Sequence, residues 1–98
     1  MGEPSPKARA VLDVVETIPP GAVMSYGDVA AWAGLGSPRY VGHVLSRFGD
    51  EVPWHRVVRA DGSFARHLAD EQAALLRAER TPLSPDGGRA DMARARLV

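Results

Sequence analysis

Apolar residues recur at helical spacing in the first part of the chain. Ser5-Pro6 is a helix start, with serine as the N-cap and proline at the first helical position. One apolar stripe follows it, made of Ala8, Val11, Leu12, Val15 and Ile18. Pro19-Pro20-Gly21 ends this helix, and residues 22–24 are predicted to be a short extended segment.

Two further short helices are predicted, joined by a tight glycine turn. The first begins at Ser25, with Asp28 as the acidic partner of a capping box, and ends at Gly34. Its predicted inward-facing residues are Val29, Trp32 and Ala33. The next begins at Ser37-Pro38 and runs to about Phe48. The pair indicates either a helix-turn-helix or an ordinary helical hairpin in a small core.

The helix from Ser37 to Phe48 separates an apolar sector from a polar one. Val41, Val44, Leu45 and Phe48 fall in the apolar sector. Arg39, His43 and Ser46 lie opposite, with Arg47 beside them. The polar sector holds no acid before Asp50, so it offers hydrogen-bond donors that suit phosphates and base edges. This favours a helix-turn-helix in which this helix reads DNA.

A β-hairpin and one more helix are predicted downstream. His55 to Ala60 is predicted to be a strand, Asp61-Gly62 a two-residue turn, and Ser63-Phe64 the start of the return strand. The last helix spans about Ala69 to Arg80, and the tail from Arg89 carries no clear pattern. The expected fold class is α/β and mostly helical: a winged helix-turn-helix DNA-binding domain with a small β element, formed by residues 1–98 as a single domain.

Composition excludes several kinds of chemistry. The chain has no cysteine, which removes disulfides, thiolate nucleophiles and cysteine metal sites. It has neither a membrane-length apolar run nor a signal segment, so we expect a cytoplasmic protein with no membrane partner. Net charge is zero, which argues against DNA binding by bulk attraction alone. Residues 39–66 nevertheless carry five arginines against three acids, a local net charge of +2.

The histidines and Ser25 are weak candidates for catalysis or metal binding. His43, His55 and His67 stand twelve residues apart, which is no recognisable ligand spacing, so neither a metal nor a cofactor is predicted. Ser25 is better explained as a helix cap than as a nucleophile. Trp54 taken alone is most simply a core aromatic residue, and His55 a hydrogen-bonded structural histidine.

Glu79 lies on the apolar face of the last predicted helix. That face also contains Leu68, Gln72, Leu75 and Leu76. A carboxylate facing a core needs a partner, because burying an unpaired charge is costly. The nearest unexplained cations are His55 and Arg56. The alternative, which the sequence alone favours slightly, is that Glu79 lies in a frayed last turn and reaches water.

Three segments together resemble a known family. "GAVMSYGDVAAWAG", "SPRYVGHVLS" and "VPWHRVVRADGS" are similar to the DNA-binding domain of the guanine-O6 alkyltransferases. Those enzymes carry Pro-Cys-His-Arg-Val around the cysteine that accepts the alkyl group, whereas Trp54 stands at that position here. This substitution is typical of the alkyltransferase-like proteins, which bind alkylated guanine in DNA without repairing it. The similarity runs from about Val11 to Glu79, and "GGRADMARARL" resembles the family's C-terminal segment more loosely.

The resemblance implies a partner and a set of site residues. The partner is double-stranded DNA containing O6-alkylguanine. Tyr26 matches a tyrosine that turns the phosphate of the extruded nucleotide, and Arg39 matches an arginine that fills the gap in the stack. The DNA-binding residues are expected to be Tyr26, Ser37, Arg39 and His43. The lesion pocket is expected to be lined by Val52, Pro53, Trp54, Ser63, Phe64 and Arg66, the last stacking on the flipped base.

The resemblance also implies a remnant of the enzymes' activating relay. Glu79 and His55 match its glutamate and histidine, and with Arg56 they are expected to serve as scaffold, since no thiol remains to be activated. The segment 47–52 is shorter than in the enzymes and lacks their asparagine. We therefore expect a non-enzymatic reader that passes the lesion to nucleotide-excision repair proteins. The rivals are a winged-helix regulator of undamaged sequence and a transferase with another acceptor.

Overall fold

The first helix forms as its sequence predicts. The structure, a computed structural model, describes residues 2–98. Helix α1 spans Pro6–Glu16, and the Ser5 hydroxyl caps it by accepting a 3.1 Å hydrogen bond from the amide of Ala8. All five residues of the predicted stripe are buried. They form one side of the principal hydrophobic cluster, against which the next two helices pack.

Strand β1 (Met24–Ser25) leads directly into α2 (Tyr26–Trp32). The capping box is complete, because the Ser25 hydroxyl accepts from the Asp28 amide at 3.0 Å and the Asp28 carboxylate accepts from the Ser25 amide at 3.1 Å. Val29 and Ala30 are buried. The inward orientation predicted for Trp32 is wrong: the residue is 67% exposed. It ends a seven-residue helix and lies over a surface groove shared with Val14 and Leu97.

Helix α3 spans Pro38–Phe48 and completes the predicted helix-turn-helix with α2. The turn between them uses Gly34 at a φ of +77°, and the Ser37 hydroxyl caps α3 by accepting from the Tyr40 amide at 3.1 Å. Val41 and Val44 are buried, and Leu45 and Phe48 pack against the same cluster. Arg39, His43, Ser46 and Arg47 are exposed, as predicted for the polar sector.

The predicted β-hairpin is wrong in its pairing. After 3₁₀ turns at Gly49–Glu51 and Trp54–Arg56, strand β2 comprises only Val57–Val58 and pairs in parallel with β1. Both valines are fully buried, so β2 belongs inside the molecule and not in a two-stranded wing. The Asp61-Gly62 turn does form, closed by a hydrogen bond from the Arg59 amide to the Ser63 carbonyl. Ser63 then pairs with Arg89 in an antiparallel bridge.

Helix α4 spans Ala69–Ala78 and follows a 3₁₀ turn at Arg66–Leu68. It buries Gln72 and Leu76, and Glu79 is its C-cap residue. Leu75, predicted to face inward, is 36% exposed because the buried sector of α4 is narrower than the sequence pattern indicates.

The tail, which the sequence left unassigned, is ordered against the rest of the fold. It contains α5 (Met92–Ala95) and buries Ala90 and Ala95. The Val23 amide donates to the Ala95 carbonyl, and the Leu97 amide donates to the Val23 carbonyl, both at 2.9 Å. The tail thus runs beside the segment that enters β1.

Two hydrophobic clusters lie on either side of the short strands. Met24 and Val57 belong to the first, which α1, α2 and α3 surround. Val23 and Val58 belong to the second, with Phe64, Leu76, Ala90 and Ala95. Adjacent strand residues therefore serve opposite clusters. Within residues 2–98, none of the helices has the length and apolar character needed to cross a membrane.

Candidate functional site

A pocket of about 330 Å³ opens beside the polar face of α3. Its walls come from the start of α2, one face of α3, the 3₁₀ turn after α3, and the segment that leads into α4. The lining residues are Tyr26, Gly42, Leu45, Ser46, Gly49, Asp50, Trp54, Ala65, His67, Leu68 and Glu71. The pocket thus combines aromatic and aliphatic walls with a polar rim.

Trp54 forms one wall of the pocket and is held from several sides. Gly49 is buried against it, and a Cβ at Gly49 would lie 3.5 Å from the Trp54 Cβ. The Trp54 amide donates to the Val52 carbonyl at 2.7 Å. The indole meets the His55 ring edge-on, with centroids 6.1 Å apart and planes at 86°. The ring is therefore a fixed, half-buried surface.

The six residues predicted to line a lesion pocket lie in different parts of the structure. Trp54 lines the pocket beside α3. Val52 is 8% exposed because it packs into the first hydrophobic cluster, and Phe64 is 6% exposed because it belongs to the second. Ser63 is engaged in the bridge with Arg89. Pro53 and Arg66 flank lining residues without lining the pocket themselves.

The sequence pattern did not identify the lining residues of α3 and of the turn after it, although their spacing carried a signal. Gly42, Leu45, Ser46 and Gly49 recur at helical intervals, so they share one face between the apolar and the polar sectors. The lining residues from Ala65 to Glu71 gave no such signal. Their position depends on how the chain turns from Phe64 into α4.

The predicted DNA-binding residues divide between the pocket and the exposed surface. Arg39 and His43 are exposed on α3, and Ser37 is exposed at its N-cap. Tyr26 is half-buried and lines the pocket, where its ring packs against Gly42 at 4.0 Å from a Cβ built there. Burial raises the pKa of the Tyr26 hydroxyl, and the positive charge of Arg59 opposes that rise.

Arg59 is a cation beside Tyr26 that the sequence analysis did not single out. Strands β1 and β2 pair in parallel, and Tyr26 and Arg59 each stand one residue past their strand. Arg59 is exposed, and its charge acts on the Tyr26 hydroxyl. A hydroxyl and a guanidinium are both able to donate to an anionic oxygen.

Glu79 is paired with both His55 and Arg56, so the expectation that it reaches water from a frayed turn is wrong. Its carboxylate lies 2.9 Å from His55 Nε2 and accepts from Arg56 Nε at 3.0 Å. The three side chains are only 12–18% exposed. Hydrogen bonding from Arg56, followed by that from His55, lowers the pKa of Glu79 to about 2 despite burial.

Arg56 extends this ion cluster to the first helix. Its Nη1 donates to the Ile18 carbonyl at 2.7 Å. The cluster of His55, Arg56 and Glu79 therefore ties together the segment after Trp54, the end of α4 and the chain that follows α1. Within residues 2–98, no three histidine or carboxylate side chains lie close enough together to hold a metal ion.

Residues 6–81 match the family described as "6-O-methylguanine DNA methyltransferase, DNA binding domain". The chain is 42% identical over 86 residues to the DNA base-flipping protein of Escherichia coli, spanning 81% of this chain and 65% of that one. It is 53% identical over 57 residues to a methylated-DNA–protein-cysteine methyltransferase of Methanothermobacter thermautotrophicus, 56% of this chain and 32% of that one. The chain thus spans less than two thirds of these relatives.

Among solved structures, the fold is similar to that of Schizosaccharomyces pombe Atl1 in complex with damaged DNA containing O6-carboxymethylguanine. The TM-score is 0.82 at 25% identity, over 94% of both chains. Relatives in this set include both cysteine methyltransferases and a protein named alkyltransferase-like protein 1. With the family match covering most of its length, this chain belongs to the 6-O-methylguanine DNA methyltransferase DNA-binding-domain family, as an alkyltransferase-like member.

Proposed function

We propose that this protein binds double-stranded DNA containing O6-alkylguanine, turns the modified nucleotide out of the helix, and holds the base without removing the alkyl group. The observation that carries the proposal is Trp54 in the wall of a pocket of about 330 Å³ beside α3, in a chain with no cysteine. A flipped base needs a pocket that stacks on its ring and lies next to the groove-reading element.

The exposed face of α3 supports the DNA-binding part of the proposal. Arg39 and His43 offer donors there, and Tyr26 links this surface to the pocket. We propose that the Arg39 side chain fills the space that the extruded base leaves in the base stack. Tyr26 and Arg59 together are suited to the phosphate of the extruded nucleotide, which would have to rotate past the pocket entrance.

The chemistry of the residues present supports the proposed absence of transfer. An alkyl acceptor of this family type requires a thiolate, and the indole of Trp54 is not a nucleophile. We assign a scaffold role to the hydrogen-bonded pair of His55 and Glu79, because there is no thiol for it to activate. A lesion that is held without repair needs a second system to remove it. We propose nucleotide-excision repair proteins in the cytoplasm as that system.

The test of lesion reading is the affinity for a duplex with one O6-methylguanine against the same duplex with guanine. We expect tighter binding to the modified duplex, because a weakened pair costs less to open. Equal affinities would contradict the proposal and favour a winged-helix regulator of undamaged sequence.

The absence of repair is tested on the same complex by intact-protein mass spectrometry. We expect no mass increase after prolonged incubation with the alkylated duplex. The protein should also slow an authentic alkyltransferase by occupying its substrate. A stoichiometric mass gain equal to one methyl group would identify this protein as a transferase that uses another acceptor.

A further inference from the structure

Gln72 is a buried polar residue that joins two segments of the pocket. It is 1% exposed on the inner face of α4. Its Nε2 donates to the carbonyls of His55 at 3.0 Å and Val57 at 2.8 Å, and its Oε1 accepts from the amide of Ala65 at 3.2 Å. The chemistry fixes the orientation of this amide, because two of its partners are acceptors and the third is a donor.

These hydrogen bonds connect two segments that contribute to the pocket lining. His55 directly follows Trp54, which forms one wall, and Ala65 begins the wall that continues to Leu68. Glu71, adjacent to Gln72 on α4, also lines the pocket. Glu79 acts from the same face of α4, seven residues further on, but holds the side chains of residues 55 and 56. Of these two residues, only Gln72 forms hydrogen bonds to main-chain groups of both segments, at His55 and Val57 and at Ala65.

An apolar residue would be the usual occupant of this position. Leu76, one turn further along, is fully buried and packs in the second cluster. A side chain such as methionine would fill the same space, but it would forfeit three bonds to main-chain groups that lie outside regular helices. The hydrogen bonds of Gln72 therefore fix the distance and angle between the Trp54 segment and the Ala65 segment. Apolar packing, which is not directional, would define this geometry less precisely.

We propose that Gln72 is a positioning residue that sets the width of the pocket and thereby the preference for alkylated over unmodified guanine. This inference rests on the proposed function, because it concerns the same pocket. Gln72 does not line the pocket, so it acts through the placement of Trp54 and of the segment from Ala65 to Leu68.

The experiment compares wild type with Gln72→Met in two assays. The first is the ratio of affinities for the O6-methylguanine duplex and the unmodified duplex, which should fall about tenfold while affinity for unmodified DNA is retained. The second is Trp54 fluorescence in a Trp32→Phe background, which leaves one tryptophan and alters an exposed site. Emission of the folded variant should shift to longer wavelength as the indole becomes more hydrated.

The matched control is Leu76→Val in the same background. It removes a buried methylene from the same helix without touching the three main-chain bonds. We expect it to lower the unfolding midpoint but to leave the affinity ratio and the Trp54 emission unchanged. Gln72→Leu replaces the methionine variant if the latter fails to fold.

The outcomes separate this inference from the proposed function. If Gln72→Met leaves both the ratio of duplex affinities and the Trp54 emission unchanged, the inference is overturned. It is also overturned if Leu76→Val lowers the affinity ratio as much as Gln72→Met does. If wild type itself shows no lesion preference, the proposed function fails. The emission comparison then still decides whether Gln72 positions Trp54: a shift supports that placement, and no shift overturns it.

Discussion

Trp54 stands where the resemblance places the acceptor cysteine of the alkyltransferases. This raises the question whether a cysteine at this position would restore alkyl transfer. For Trp54→Cys we expect little transferase activity, although His55 and Glu79 remain paired nearby. Attack requires the thiolate within reach of the alkyl carbon, and a misplacement of about 1 Å can cost on the order of 100-fold in rate. Loss of the indole also leaves a cavity beside Gly49, which costs roughly 3 kcal/mol if it does not collapse.

Single-turnover incubation of this variant with O6-methylguanine DNA measures the transfer. Rapid and complete methylation of Cys at position 54 would show that the missing sulfur alone separates this protein from the enzymes. Alkylation of the free thiol with a small reagent serves as the control that the sulfur is accessible.

Arg39 gives a second prediction at the scale of one side chain. It is exposed near the start of α3. If it fills the space of the extruded base, Arg39→Ala should weaken lesion binding by about 10- to 100-fold and leave the melting temperature unchanged. Arg94→Ala, an exposed position on α5, is the matched control for loss of one positive charge. A large drop in stability would mark Arg39 as structural instead.

At the scale of elements, we expect the contact between the end of α4 and residues 55–56 to weaken in acid, because it depends on the charge of Glu79. The folded-state pKa of Glu79 is about 2, below its ordinary value of 4.5. The unfolded state therefore binds more protons between these values, and the stabilisation by Glu79 is present above about pH 4.5 and is lost as pH falls towards 2. Removing one partner of such a mostly buried cluster costs about 3 kcal/mol.

Urea unfolding of wild type and Glu79→Gln at a series of pH values measures this contribution. The difference in unfolding free energy should be largest above pH 4.5 and should shrink towards pH 2. A difference that stays constant across this range would exclude titration of Glu79 as its source.

The same elements show what could be predicted from the sequence. Local signals sufficed for α1, α2 and α3, because Ser5, Ser25 and Ser37 are caps whose effect acts within one turn. The pairing of β2 could not be predicted. Two consecutive valines are compatible with a hairpin strand and also with an interior parallel strand.

The pocket was only partly predictable for a similar reason. The family resemblance indicated Trp54 as a pocket residue and Tyr26 as a phosphate-binding residue, and both line the pocket beside α3. Val52 and Phe64 are apolar residues next to site residues, and the sequence does not tell whether such residues turn towards a pocket or a core. The partner of Glu79 depends on how α4 packs against residues 55–56, a long-range contact that periodicity does not encode.

At the scale of the whole molecule, Gly62 connects the central turn with the tail. It has a φ of +88°, its carbonyl accepts from the Ala90 amide at 2.9 Å, and a Cβ there would collide with the Ala90 carbonyl oxygen. Gly62→Ala should destabilise the protein by about 2 kcal/mol or more, since the left-handed conformation alone costs roughly 1–2 kcal/mol for a residue with a Cβ.

Thermal unfolding of Gly62→Ala beside Gly36→Ala tests this prediction. A Cβ at Gly36 meets no atom within 4 Å, so that substitution should change the stability little. Equal melting temperatures for the two variants would mean that the tail does not depend on the close approach at Gly62.

The hydrogen bonds between Val23 and the tail also bear on the order in which the molecule is made. The buried residues of the first cluster all lie between positions 8 and 57, whereas those of the second extend from 23 to 95. A ribosome delivers the chain from its N-terminal side, and segments generally fold as they become available. Helices α1, α2 and α3 can therefore pack during synthesis, while the other side of the small sheet stays open until residues 90–97 emerge. A nascent chain would therefore complete its helix-turn-helix before the second hydrophobic cluster can form on the other side of the sheet.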